Sequence, residues 1–239
     1  MPRYAPRTIG FACELLHAAR TPDTQAVQRV HNSFFEEPEP AYSSFAVTPL
    51  GPILTNPASR QGVISQVAFL ADRFQFREEL GGLTAEDFGE RVKRVADEVG
   101  TQNGIQFLGQ QVTIRTLVNP QHIKDARAFI ARGMLQAEQA LSAFRRPPGL
   151  LGIRLAFPPD EESPAAHSVR IESYAQDSRS LFLEIQGSYG KELLSDGPNS
   201  TAANIQDTYH FLIQRALRFV ADFDRPATPE GGNPEISEN

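Results

Sequence analysis

A single cysteine, Cys13, stands in a chain of 239 residues. One thiol excludes an internal disulfide framework and any multi-cysteine metal site. It lies in an apolar, strand-like stretch, where a thiol is buried and inert rather than nucleophilic. Lysine is scarce: arginine outnumbers it twenty to three. The formal charge is −6, with a pI near 5.4. Nonspecific nucleic-acid binding depends on phosphate neutralisation by cations, and this balance argues against it. No apolar run approaches the roughly 20 residues that a bilayer-crossing helix requires. The first residues, Met-Pro-Arg, and an apolar run broken by Glu14 do not form a signal peptide pattern. The expectation is a cytoplasmic protein with neither membrane nor nucleic acid as partner.

Catalytic and cofactor motifs are missing as well. His17, His31, His122, His167 and His210 show no His-x-His or His-Glu-x-x-His spacing. There is no Gly-x-Ser-x-Gly elbow. Gly81-Gly82 precedes a helix but lacks the Lys-Ser/Thr of a phosphate loop. No metal, cofactor or catalytic residue is therefore expected, and the chemistry of an enzyme is not written in any local motif.

What the chain does contain is material for a core: 40% hydrophobic residues and sixteen phenylalanines. Ile9, Phe11, Cys13 and Leu15 share one face of a strand over residues 8–16. Thr21-Pro22 offers a cap and an N1 proline for a helix to residue 35, with Val27, Val30 and Phe34 as its apolar stripe. Prolines at 38 and 40 stop it. A short strand at 42–47 and a loop over 48–62 follow. Strands near 63–70 and 73–78 then form a hairpin. Thr84 with Asp87 makes a capping box for a helix whose stripe is Phe88, Val92, Val95 and Val99, with Gly100 as its stop.

The order then repeats. Val112, Ile114, Thr116 and Val118 share a strand face. Asn119-Pro120 opens a helical pattern that runs to Phe144, with a kink at Gly133, and Arg145-Arg146-Pro147-Pro148-Gly149 ends it. Ile153, Leu155 and Phe157 alternate as a strand. A hairpin of strands at 167–175 and 180–189, a loop over 190–203 and a helix from about Asn204 complete the pattern. The expected fold is α+β: an internally duplicated β-α-β-β-β-α unit forming a mostly antiparallel, curved sheet with helices on one face. The first copy spans residues 1–103, the second 104–224, and 225–239 is an acidic tail too poor in apolar residues to order itself. The layout resembles the saddle of TATA-binding-protein-like folds in topology only, and no function follows from a shared superfold.

The stretch Gln-Gln-Val-Thr-Ile-Arg-Thr-Leu-Val-Asn-Pro, residues 110–120, follows a hairpin strand and the helix capped at Thr84. It resembles a sporadically distributed family of uncharacterised bacterial proteins, in which a strand Arg is followed closely by Asn and Pro; Arg115, Asn119 and Pro120 match. Leu117-Val118 stands where that family carries an aromatic. The resemblance implies no particular activity.

Three sets of side chains are candidates for function. Strand alternation puts Arg115, Arg154, Arg170, Glu172, Glu184 and Gln186 on the sheet face opposite the core. Arginines so placed suit a carboxylate or phosphate ligand, and equally a ladder of cross-strand ion pairs. On the last helix Phe211 falls outside the apolar arc, beside Arg215 and Arg218, a composition that suits a protein interface or a lone exposed aromatic. The 190–203 loop, with Lys191, Glu192 and Asp196, reads as a lid or as disorder. The leading expectation is a non-enzymatic binding or assembly protein acting through protein–protein contact, homo-oligomeric or part of a larger complex. The alternatives are an anion or small-molecule binder using the arginine-bearing face, and an enzyme with residues gathered across both copies.

Overall fold

The computed structural model describes residues 4–36 and 41–225. The prolines expected to stop the first helix, and the acidic tail beyond Arg225, lie outside the described residues. Among the described residues the strands are β1 (Arg7–His17), β2 (Ser44–Thr48), β3 (Gly51–Thr55), β4 (Ile64–Phe69), β5 (Arg73–Glu79), β6 (Phe107–Val118), β7 (Gly152–Phe157), β8 (Ala166–Ser173) and β9 (Leu181–Gly190). They form one open sheet in the order β2-β3-β4-β5-β1-β6-β9-β8-β7, with each neighbouring pair antiparallel. The α+β class is as expected.

The helices are α1 (Thr24–Phe35), α2 (Ala85–Val95), α3 (Ala126–Ala128), α4 (Glu138–Leu141) and α5 (Pro198–Phe211). Three of them continue into wider π-type turns: α2 through Ala96–Gly100, α3 through Phe129–Met134, and α5 through Leu212–Ala216 and on into Leu217–Phe223. A single buried cluster unites the helix stripes (Val27, Phe34, Phe88, Val92, Ile130, Ile205, Leu217) with one face of the sheet: Phe11, Cys13 and Leu15 of β1, Phe76 of β5, Val112 and Ile114 of β6, and Ile185 of β9. Each such large side chain contributes about 1.5–3 kcal/mol by leaving water. The period of two along every strand sends the polar residues to the other face.

Outward from the central β1·β6 pair, the order is β5, β4, β3, β2 on one side and β9, β8, β7 on the other. Both halves run strand, helix, strands, helix in chain order. The first half has one strand more than expected, because β3 forms inside the stretch read as a loop. Gly51 and Pro52 masked it: the position takes glycine because its φ is +139° and a Cβ there would lie 2.1 Å from the Phe69 carbonyl oxygen. Its strand partner β2 becomes the sheet edge.

Several boundaries shift for local reasons. The α1 cap is Asp23, whose carboxylate accepts from the Ala26 N–H, rather than Thr21. The Thr84–Asp87 capping box forms as the sequence predicts. Gly100 does not stop its helix; it stays in the π-type turn, where a Cβ would press to 2.7 Å from Phe107, and the left-handed residue is Gly104. Asn119-Pro120 does not open a helix. Asn119 instead accepts from the Ser180 hydroxyl, and α3 starts after Asp125. The residues between cap and helix are held by Asp224, which accepts from the backbone N–H of Gln121 (2.6 Å) and His122 (3.0 Å) and from the Tyr4 hydroxyl. The helical pattern expected to run to Phe144 breaks at Gln136, which has φ 49°. The 190–203 stretch is not an open loop: a short helical turn over Lys191–Leu194 and three further turn residues lead into α5 at Pro198.

Asp224 thus ties three distant parts of the chain together. Burial raises the affinity of its carboxyl for a proton, but the Tyr4 and two backbone donors outweigh burial and hold its pKa below the ordinary carboxylate value. Its contribution is present above the unfolded pKa and is lost as pH falls through the folded one. Replacing Asp224 with Ala leaves those donors unsatisfied and should cost about 2–4 kcal/mol at neutral pH, measured by urea unfolding. A loss no larger than an ordinary surface substitution would show that the tie carries no weight.

Candidate functional site

The uncovered sheet face is organised in register rows. One row runs Glu79 (β5), Gly10 (β1), Arg115 (β6), Glu184 (β9), Arg170 (β8), Arg154 (β7). Gly10 has no side chain, so Arg115 reaches across β1 to Glu79 at 3.5 Å while its Nε lies 2.8 Å from Glu184. Arg170 shares Glu184 at 3.5 Å and approaches Glu172 at 3.7 Å. A parallel set joins Glu14 with Arg73 (3.0 Å) and Gln75 (2.8 Å). The structure therefore brings Arg115, Arg170, Glu172 and Glu184 together, as alternation predicts: Arg115 donates its Nε–H to Glu184, whereas Arg170 stays 3.5–3.7 Å from its two carboxylates and its buried Nε has no hydrogen-bond partner among the described residues. The side chains are 22–40% exposed. Such pairs are worth a few tenths of a kcal/mol to about 1 kcal/mol each. Arg154, at the end of the row on the sheet's edge, faces only Arg170 and makes no ion pair among the described residues.

Phe211 is placed differently from expectation. It is half-buried rather than exposed, with its ring stacked on His167 (centroids 4.3 Å apart, 2° between planes) and edge-on to Phe157 (5.6 Å). Phe157 of the edge strand β7 and His167 of its neighbour β8 extend the covered surface past the helical arc. Arg215 and Arg218 on the same helix are exposed. Around the stack, the Tyr189 hydroxyl donates to Asp207 Oδ2 at 3.0 Å and pairs with Thr208 Oγ1 at 2.8 Å. His167 Nε2 lies 3.7 Å from Asp207, too far for a hydrogen bond.

Polar groups also penetrate the core. Gln110, on the apolar side of β6, donates to the Thr201 carbonyl (2.9 Å) and to Cys13 Sγ (3.4 Å), and accepts from Asn204 (2.9 Å). This fixes α5 on the sheet. Burial pushes the Cys13 thiol up to about 12, so it carries no nucleophile. Buried Glu78 on β5 meets Arg91 of α2 at 2.7 Å and Ser65 at 2.9 Å; burial nevertheless leaves its pKa above the usual value. Sequence reading singled out none of Gln110, Asn204 and Glu78. The signal was there: a polar residue at the buried parity of a strand. These groups satisfy one another and hold the layers in place. Among the described residues no group of three or more His, Cys, Asp or Glu side chains is placed to hold a metal, and no helix is long and apolar enough to cross a membrane.

One surface feature was not singled out in the sequence either. Between α3 and β7 the chain stands off the core, and Leu135, Phe144 and Leu150 are 42%, 72% and 50% exposed. The helical piece formed by α4 and Ser142–Phe144 is bounded by two left-handed residues that are not glycine, Gln136 (φ 49°) and Arg145 (φ 54°). Such backbone costs on the order of 1 kcal/mol or more per residue and is characteristic of sites where strain serves a function. Arg145 and Arg146 are exposed and make no ion pair among the described residues. They overhang a cleft of about 520 Å³ that also involves Asp125, Arg127 and Glu138. The signal in the sequence was Phe-Arg-Arg-Pro-Pro, read only as a helix stop.

The His167 stack makes a pH-dependent contribution of definite sign. Burial lowers its pKa from the free value, partly opposed by Asp207. The unfolded chain therefore takes up the proton first as pH falls, and stability declines from the unfolded pKa downward. His167→Gln should flatten the loss of stability between about pH 7.5 and about pH 5, measured by urea titration; equal slopes in both proteins would contradict this. No family model matches the chain, and no curated protein matches it.

Proposed function

We propose that the chain is a non-enzymatic binding or assembly protein that acts through protein–protein contact. The observation that carries this is the exposed segment ending in Phe144-Arg145-Arg146. An aromatic at 72% exposure beside unpaired arginines, presented by a strained turn, has the composition and cost of an interface anchor rather than of an idle loop. Its chemistry suits a partner that offers an apolar pocket rimmed by carboxylates. The arginine-bearing sheet face gives less support to an anion site, since Glu79 and Glu184 flank Arg115, and Glu172 and Glu184 flank Arg170, so an anion there would meet carboxylates as well as guanidiniums. The matching order of elements on the two sides of β1·β6 supports reading the chain as one unit used twice, 1–103 and 104–224, with β2 added to the first.

The test is quantitative. Complexes isolated from cells that express the wild-type chain or the Phe144→Asp/Arg146→Glu chain at equal levels are compared for stoichiometric protein partners. The wild type should hold a partner that falls at least about tenfold in the double variant, the loss that a hot-spot residue causes. Identical protein content in the two, or turnover of a small molecule by the purified chain, would contradict the reading.

A further inference from the structure

We infer that β7 is the seam of a homodimer, in which two copies join their sheets antiparallel about a two-fold axis at Leu155. Ser173 donates its N–H to the Leu151 carbonyl, and Leu151 stands opposite Ser173 in the register. The residues that bond to β8 are therefore Leu151, Ile153, Leu155 and Phe157, because pairing alternates along an antiparallel ladder. The N–H and C=O groups of Gly152, Arg154 and Ala156 point away from the sheet into solvent.

This edge carries only one of the devices that usually keep a free strand from pairing, the charge of Arg154. Its register with β8 is unbroken from Gly152 to Phe157, so there is no bulge, and it contains no proline, no lysine and no charge on the helix-side face. Ile153 and Leu155 are half-buried on that face and Phe157, 43% exposed, rests on Phe211. An added strand thus finds both an empty ladder and an apolar floor. The opposite edge differs. Ala46, Val47 and Thr48 of β2 are exposed on both faces, so a strand added there would bury little.

Charge selects the occupant's register. Only residues whose backbone groups both point outward can exchange hydrogen bonds. A two-fold at Arg154 would set Arg154 directly against its symmetry mate, beside Arg170, which like-charge repulsion disfavours. Moving the axis one residue to Leu155 sets Arg154 against Ala156 of the second copy and repeats that bonded pair by symmetry. It also places Ile153 against Phe157 and Leu155 against Leu155 on the apolar face, as closely approaching non-hydrogen-bonded pairs. The contact is isologous and closes on itself, leaving β2 at each outer end of one continuous sheet. Being narrower than a standard interface, it predicts a dissociation constant in the micromolar range, about 1–100 µM.

Sedimentation velocity on the full chain over that range should show the mass rising from 26.4 kDa towards twice that value. Ala156→Glu places a carboxylate opposite Arg154 and should tighten the dimer about three- to tenfold; Ala156→Arg should weaken it by a similar factor. Ala156 is exposed, so neither change threatens folding. Under mild oxidation Leu155→Cys should form a disulfide-linked dimer and Ala156→Cys should not, and the native thiol cannot interfere because Cys13 is fully buried. A monomer at every concentration, or a dimer indifferent to both Ala156 changes, would overturn the inference. The Phe144→Asp/Arg146→Glu chain should dimerise like the wild type. A monomer that still loses its partner in that variant would sink the dimer alone, and a dimer with no partner would sink only the proposed function.

Discussion

The pairing of β1 with β6 is the joint on which the molecule depends. These are the longest strands, and each forms with the other a ladder running from Arg7↔Leu117 to His17↔Phe107. A strand with partners on both sides has no free backbone groups. Placing β1 and β6 back to back therefore removes one edge from each half and makes two small sheets into one. Everything else follows from the joint. The helices of both halves share one apolar face because the combined sheet has only two faces, and the remaining edges are displaced to β2 and β7. Gly10, at the joint, has no side chain to set on the open surface, and the gap it leaves lets Arg115 bridge to Glu79 on the far side of β1.

Much of this was legible in the chain. Period-two alternation located all strands but β3, and it assigned the faces correctly for Val112, Ile114, Val169, Ile171, Leu183 and Ile185, and for Arg115, Arg170 and Glu184 opposite them. Helix stripes such as Phe88, Val92, Val95 were equally clear. What failed was local punctuation. Gly51-Pro52 reads as a loop because a strand rarely begins that way; only the close approach of the Phe69 carbonyl explains the glycine. Asn119-Pro120 reads as a helix start because the chain itself cannot reveal that Asp224, a hundred residues on, will take the N–H groups that follow. Helix-wheel reasoning misplaced Phe211 because a wheel shows one helix alone, and the rings that cover Phe211, His167 and Phe157, come from β8 and β7.

The functional surfaces were harder to read for a related reason. Charges on a strand face are conspicuous in a sequence, and arginines there invite a ligand. Register decides whether they are free, and here it sets a glutamate beside Arg115 and Arg170 alike. Exposure works the other way. Phe144 looked like the last apolar residue of a helix, and Ile153, Leu155 and Phe157 like an ordinary core strand. Only the strand order shows that β7 has one neighbour, and only the left-handed turns at Gln136 and Arg145 lift Phe144 clear of the core. The features that distinguish this protein are those left unpaired after the fold has satisfied everything else: a strand edge, an aromatic and a few arginines.

Native-state hydrogen exchange tests the central joint most directly. If β1·β6 makes one cooperative sheet, the slowest amides of β1, β5, β6 and β9 should exchange through a single event, with one opening free energy and one denaturant dependence. If instead the amides of β6 and β9 stayed protected after those of β1 and β5 had exchanged, the halves would open separately, and the account of a single sheet built around that pairing would be wrong.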